Sequence, residues 1–364
     1  MAGRPEEVLW ERALHQRVSR GTVAVAGDHV VVHERASRLV CLDRSDGSLR
    51  WDVPFGLWPR AVVAAGDHCL GIPQNADVVI CWDLRTGAVL WTAELPRYTG
   101  HMVVGDGTVL VGGWRGYTPL QAFDLSTGRL LWSTGEPHDT VPPLVVGDHV
   151  LLGRGRGTSV RLVGLRDGRE RGRWELPEPL ASTDVGMVLS RFRTEAGDRV
   201  LVRCGRRSVV EVEVEVGGRV GGGSMRTLRR HDRDLTADAV HRVGGLLWLR
   251  EAMGYAVADD AGTLRWRVDL RQRPAGGVVA AGSDFLVGGE QGTLFRIDPT
   301  GRMTGRAAVS RRIAGLWPVG PTGDPDALIV ATRGTLLALG IRAAAEGSSG
   351  TAAVGAPGPR LVTS

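Results

Sequence analysis

The chain has 364 residues, 45 basic against 40 acidic, and a formal net charge of +5. Over this length that is a mild bias, so a nucleic-acid partner is not expected. No apolar run approaches a membrane span and residues 1–7 lack the apolar core of a secretion signal, so a cytoplasmic protein with no membrane contact is expected.

All 45 basic residues are arginine, and Asn75 is the one asparagine. This pattern reads as codon bias in a GC-rich, actinomycete-type genome.

Residues 1–5 carry nothing to bury and are expected to be disordered. Val8-Leu9-Trp10 then reads as a strand with no partner nearby. Next comes a short apolar run, the turn Gly27-Asp28-His29 and a second apolar run. A third strand leads into Asp43-Arg-Ser-Asp-Gly47, and a fourth ends on Trp51. The unit repeats. Gly66-Asp67-His68 is followed by Asp83-Leu-Arg-Thr-Gly87 and Trp91. Gly105-Asp106-Gly107 is followed by Asp124-Leu-Ser-Thr-Gly128 and Trp132. Gly147-Asp148-His149 is followed by Gly164-Leu-Arg-Asp-Gly168 and Trp174. In each turn the Asp accepts a backbone N–H and the Gly supplies positive φ. A Trp at one fixed place per unit reads as a wedge between neighbouring units, its N–H tied to a backbone carbonyl. His29, His68 and His149 recur in one turn and are read as turn residues.

The fifth unit is irregular. Its strands fall at 200–204 and 209–216, and its outer strand near Arg226–Leu228. Glu211, Glu213 and Glu215 are read as one solvated strand face. The sixth unit ends Asp259-Asp-Ala-Gly262 and Trp266, and the seventh carries Asp298-Pro-Thr-Gly301 without a Trp. Residues 315–319, 327–331 and 335–339 give three further strands and no fourth. The N-terminal strand is the missing one, which closes a ring and removes open edges. Cys41, Cys69, Cys81 and Cys204 form no motif, and Cys41 and Cys81 at matching strand positions read as buried apolar residues.

A period near 40 with four short strands per unit is the signature of an all-β, eight-bladed β-propeller. It fills a single domain at 6–341. Residues 342–364 are expected to form a disordered tail.

The phrase Asp-x-x-Thr-Gly-x-x-x-Trp at this period resembles the PQQ-like propeller repeat of quinoprotein dehydrogenases and BamB-type proteins. That resemblance implies a propeller but no single activity. The quinone enzymes hold their cofactor with Ca²⁺ through Glu, Asn and Asp, and many have adjacent cysteines. This chain has no Cys-Cys pair and one Asn, so neither PQQ nor another cofactor is expected, and no metal site is assigned.

Ligands of propellers meet the loops at one mouth of the central channel. Here those loops carry aromatics and arginines, the makeup of a binding site. Arg60, Trp58, Tyr98, Trp114, Arg115, Tyr117, Tyr255 and Glu290 are the candidate ligand-binding residues. His101 and His33 are the candidate acid–base groups. No Gly-x-Ser-x-Gly, HExxH, Walker loop or CxxC is present. The leading expectation is therefore a monomeric module that binds a small molecule or a protein at its mouth. The alternative is a cofactor-independent cyclase, isomerase or lyase of specialised metabolism, with its site at the same place. Sequence leaves open whether the chain is catalytic.

Overall fold

A computed structural model describes residues 7–14, 23–34, 37–113, 118–135, 142–181, 189–194, 197–214, 224–236, 240–309, 312–320 and 325–341. The expectations for residues 1–5 and 342–364 lie outside these. So do Trp114, Arg115, Tyr117 and Glu215.

The described strands form eight antiparallel four-stranded sheets, each paired in the order inner, second, third, outer. Blade 1 runs from Val23–Ala26 to Leu49–Pro54, blade 2 from Pro59–Ala65 to Val89–Glu94, and blade 3 from Thr99–Gly105 to Leu130–Ser133. Blade 4 runs from Leu144–Val146 to Glu170–Glu175, blade 5 from Leu189–Thr194 to Met225–Arg230, and blade 6 from His241–Val243 to Leu264–Asp269. Blade 7 runs from Pro274–Ala281 to Met303–Ala308. Blade 8 takes Ile313–Val319, Ala327–Thr332 and Thr335–Gly340 from the end of the chain and Glu7–Ala13 from its beginning. Glu7 pairs with Gly340 and Ala13 with Thr335, so the N-terminal strand closes the ring.

The core lies between sheets. Val31, Cys41 and Trp51 of blade 1 pack on Cys69 and Trp82 of blade 2, and equivalent clusters join each later pair of blades. The last sets Ile329 and Ala338 of blade 8 against Val30 and Val32 of blade 1. Both faces of the middle strands are therefore covered. This is why they read as continuous apolar runs such as Val30-Val31-Val32 rather than as alternating ones.

The tryptophan wedge is seen directly. Trp10 Nε1 donates to Arg44 O at 2.7 Å, Trp51 to Leu84 O at 2.7 Å, Trp91 to Leu125 O at 2.8 Å and Trp132 to Leu165 O at 2.8 Å. Each acceptor lies in the turn of the next blade. The ring of each Trp covers the turn glycine beside that acceptor, so a Cβ on Gly47, Gly87, Gly128 or Gly168 would fall within 3.0 Å of it. The turn Asp residues behave as read: Asp83 Oδ1 accepts Thr86 N at 2.7 Å, and Asp124 Oδ1 accepts Ser126 N at 3.1 Å.

One strand-face reading is corrected. Glu211 is buried, not solvated; it accepts from Arg226 Nε at 2.8 Å and from Arg199 at 3.4 Å. Burying a carboxylate requires such paired donors. Its neighbour Glu213 accepts from Ser224 Oγ at 2.8 Å. Among the described residues no helix is long and apolar enough to cross a membrane.

Candidate functional site

Because strands alternate in direction, the loops from second to third strand and from one blade to the next all emerge on one face, the mouth. The Gly-Asp-His and Asp-x-x-Thr-Gly turns occupy the opposite face.

The loop from blade 1 to blade 2 is built from the inside out. Phe55 is buried against Trp82, with ring centroids 5.9 Å apart. His33, at the end of the second strand of blade 1, lies edge-on to Phe55 at 5.5 Å. Its Nε2 stands 3.1 Å from Gly56 O and so carries the proton donated there. Gly56 has φ +107°, and a Cβ on it would meet Asn75 Oδ1 at 2.8 Å. Gln74 N donates to Trp58 O at 2.8 Å. On this braced base Trp58 has φ +48° and is 49% exposed.

The loop from blade 2 to blade 3 repeats the arrangement. Tyr98 stands, like Trp58, immediately before an inner strand; it has φ +65° and is 58% exposed. Thr99 Oγ1 donates back to Pro96 O at 2.8 Å. Left-handed backbone costs a non-glycine L-residue about 1–2 kcal/mol, and such strain gathers at functional sites. Two bulky aromatics holding it at matching positions, both facing solvent, is the feature that marks this part of the mouth.

Arg60 lies between these two loops. It donates to Thr99 O at 3.2 Å and to Gln74 O at 2.8 Å, and approaches Asp77 at 3.9 Å. Arg97 reaches the same carboxylate at 3.6 Å. Arg60 is thus a tie between blades 2 and 3 that also supports the Trp58 and Tyr98 loops. The pairing of the inner strand with its neighbour shifts register across this residue, between Pro59 and Ala61. The inner strand of blade 3 shifts in the same way between Thr99 and His101, and His101 is buried at the threshold of that strand.

The remaining candidates do not join the exposed surface. His33 is buried beneath the loop, and burial holds its imidazole below the usual histidine range, with the Gly56 carbonyl pulling the other way. Glu290 is on blade 7 and paired with Arg312. Tyr255 is not a loop residue. It stands in the third strand of blade 6, Gly254–Ala258, fully buried with its ring 5.7 Å from Trp248.

Sequence reading missed a second buried group on the mouth side. His231 lies after the outer strand of blade 5, with its side chain wholly buried. Its Nε2 stands 2.7 Å from Glu251 Oε1 on blade 6, and its Nδ1 accepts from Arg229 Nε at 3.3 Å. Arg267 Nε also donates to Glu251 Oε1, at 3.2 Å. A His and a carboxylate twenty residues apart (251 − 231) give no local signal of their pairing. Among the described residues no group of three or more His, Cys, Asp or Glu is placed to hold a metal ion, and Cys41, Cys69, Cys81 and Cys204 are free and buried. Burial pushes the Cys41 thiol up to about 12.

Eight four-stranded sheets, several of them joined by Trp–turn locks, with aromatics standing on the loops of one face, define a β-propeller of the PQQ-like type. The family described as outer membrane protein assembly factor BamB matches residues 4–76 and 74–245, and the chain belongs to it. No curated protein matches the chain. Among solved structures, BamB from Moraxella catarrhalis is 15% identical, with a TM-score of 0.71 over 93% of this chain and 98% of that one. Sqt1 from Saccharomyces cerevisiae is 11% identical, with a TM-score of 0.72 over 94% and 100%. The quinohemoprotein alcohol dehydrogenase ADHIIG from Pseudomonas putida HK5 is 12% identical, with a TM-score of 0.67 over 98% and 78%. At these identities the likeness establishes the fold alone.

Proposed function

We propose that this propeller is a protein-binding module whose contact surface is the mouth, centred on Trp58 and Tyr98. The observation that carries the reading is their shared left-handed backbone and exposure on braced loops. Rigid, exposed aromatics are the residues that carry most of the binding energy at protein interfaces, because little entropy is lost when they are covered. Leu57, 49% exposed, adds apolar surface beside Trp58. Membership of a family named for an assembly factor supports a protein as the partner. Four free cysteines agree with a reducing, cytoplasmic setting. The reading takes no cofactor. The alternative, an enzyme at the same mouth, gains no comparable support, since of its two acid–base candidates His33 is engaged with the Gly56 carbonyl below the surface and His101 is buried.

Native mass spectrometry of the protein purified from its own host tests this. We expect a co-purifying protein that is lost in Trp58→Ala/Tyr98→Ala and retained in Leu49→Ala/Val89→Ala, which alters exposed residues of outer strands. Retention in both variants, or a small molecule in place of the protein, overturns the reading.

A further inference from the structure

Across the mouth from the aromatic loops, at the junction of blades 7 and 8, five charged residues form one cross-linked row. Arg271 and Arg273 lie in the loop that enters blade 7. Between them Gln272 is buried, its Oε1 accepting Gln291 N at 2.8 Å, and this anchor leaves both arginines exposed. Arg271 has φ +55°, with its N–H held by Asp269 Oδ1 at 2.8 Å. Glu290 N donates to Arg273 O at 2.9 Å, the Glu290 carboxylate pairs with Arg312, and Arg333 N donates to Arg312 O at 3.2 Å. Glu290 neutralises Arg312, while the side chains of Arg271, Arg273 and Arg333 carry no ion pair among the described residues.

We propose that this row seats an acidic polypeptide segment of the protein partner. The inference rests on the mouth being a protein-binding surface and adds the chemistry of what it binds. Planar guanidinium groups match carboxylates in two-bond geometry, and three of them on a pinned backbone complement a run of Glu or Asp. A nucleic-acid strand fits less well. It calls for aromatic faces interleaved with the cations, whereas the exposed aromatics Trp58 and Tyr98 stand on the loops of blades 1 to 3. Charge at such a surface acts mainly on encounter rate and partner choice.

The test is fluorescence anisotropy at low salt with two labelled probes, a deca-glutamate peptide and a ten-nucleotide oligo-dT. Three proteins are compared: wild type, Arg271→Gln/Arg273→Gln/Arg333→Gln, and Arg85→Gln/Arg129→Gln/Arg302→Gln. The second triple removes the same charge from exposed arginines of the opposite face that make no contact ion pair among the described residues. All six positions are exposed, and circular dichroism checks the fold. We expect deca-glutamate to bind wild type, to lose about tenfold in affinity in the mouth triple with a shallower salt dependence, and to change less than about twofold in the other triple. Equal loss in both triples, or no loss in either, overturns the proposal. Tighter binding of oligo-dT, lost in the mouth triple, also overturns it and makes the row a phosphate-polymer surface. The co-purification readout separates the two inferences. A partner lost by Trp58→Ala/Tyr98→Ala but kept by the mouth arginine triple leaves the mouth reading standing without the acidic segment. A partner kept by both variants removes both.

Discussion

Trp91 lies over Gly128 so closely that a Cβ on the glycine would stand 2.5 Å from the indole ring. The same Trp donates its N–H to Leu125 O three residues earlier in that turn. Glycine is required there twice, for φ +71° and for the ring above it.

This separates two costs that a glycine substitution usually confounds. Gly128→Ala is expected to cost about 2–4 kcal/mol, left-handed strain plus overpacking. Gly66→Ala, at φ +55° with nothing within 4 Å of the new Cβ, meets the strain alone and is expected to cost about 1 kcal/mol. Urea unfolding of the two variants checks the difference; equal costs would remove the wedge from the account.

Ring closure makes its own prediction. A protein lacking residues 1–13 leaves the strand Thr335–Gly340 without its partner and uncovers an apolar edge. We expect a lower melting temperature and oligomers in size-exclusion chromatography, as exposed edges pair with one another. A monomer of unchanged stability would show that the closing strand is dispensable.

His33 links burial to pH. Its folded-state pKa is lowered, so the unfolded chain takes up the proton more readily. The stabilising contribution is therefore complete above the unfolded value of about 6.5 and is lost as pH falls from there toward the folded value. His33→Gln, which can still donate to Gly56 O, is expected to flatten the fall in melting temperature between about pH 7 and pH 5. The turn aspartates act lower. Asp83 and Asp124 are held below the usual carboxylate range by hydrogen bonds from Thr86 and Ser126. Their contribution is present above about pH 4 and is lost as acid protonates them.

Strain and binding are expected to trade against each other at Tyr98. Tyr98→Gly relieves the left-handed backbone but enlarges the unfolded ensemble, so stability should hold steady or rise by up to about 1 kcal/mol. Partner retention should fall in the same variant. Arg60→Ala should instead cost about 1–3 kcal/mol, because the Thr99 and Gln74 carbonyls lose their donor. Thermal denaturation of both variants checks the ordering; a Tyr98→Gly protein markedly less stable than wild type would assign the tyrosine a structural role.

The architecture was legible because the wedge and its turn recur: Trp10, Trp51, Trp91 and Trp132 each announce a blade. Even blade 5, where no Trp stands, kept its outer strand near the expected place, at Met225–Arg230. The site was less legible. Nothing local in Trp58 or Tyr98 encodes positive φ, since the surrounding packing imposes a conformation their side chains disfavour. Tyr255 was misplaced because its strand begins at Gly254, with only two residues between it and the polar pair Arg250-Glu251 that suggested a loop. Glu211 looked solvated because its counter-charges, Arg199 and Arg226, come from the two flanking strands.

The closing strand also sets an order in time. Glu7–Ala13 leaves the ribosome well before its partner Thr335–Gly340, which lies 322 residues (335 − 13) further along the chain. At about 5–20 residues per second, roughly 20–60 seconds separate the two. Throughout that interval Val8, Leu9 and Trp10 have no sheet to join and blade 1 lacks one of its neighbours. The ring therefore closes only after blade 8 has been made, and until then the first strand is open to mispairing.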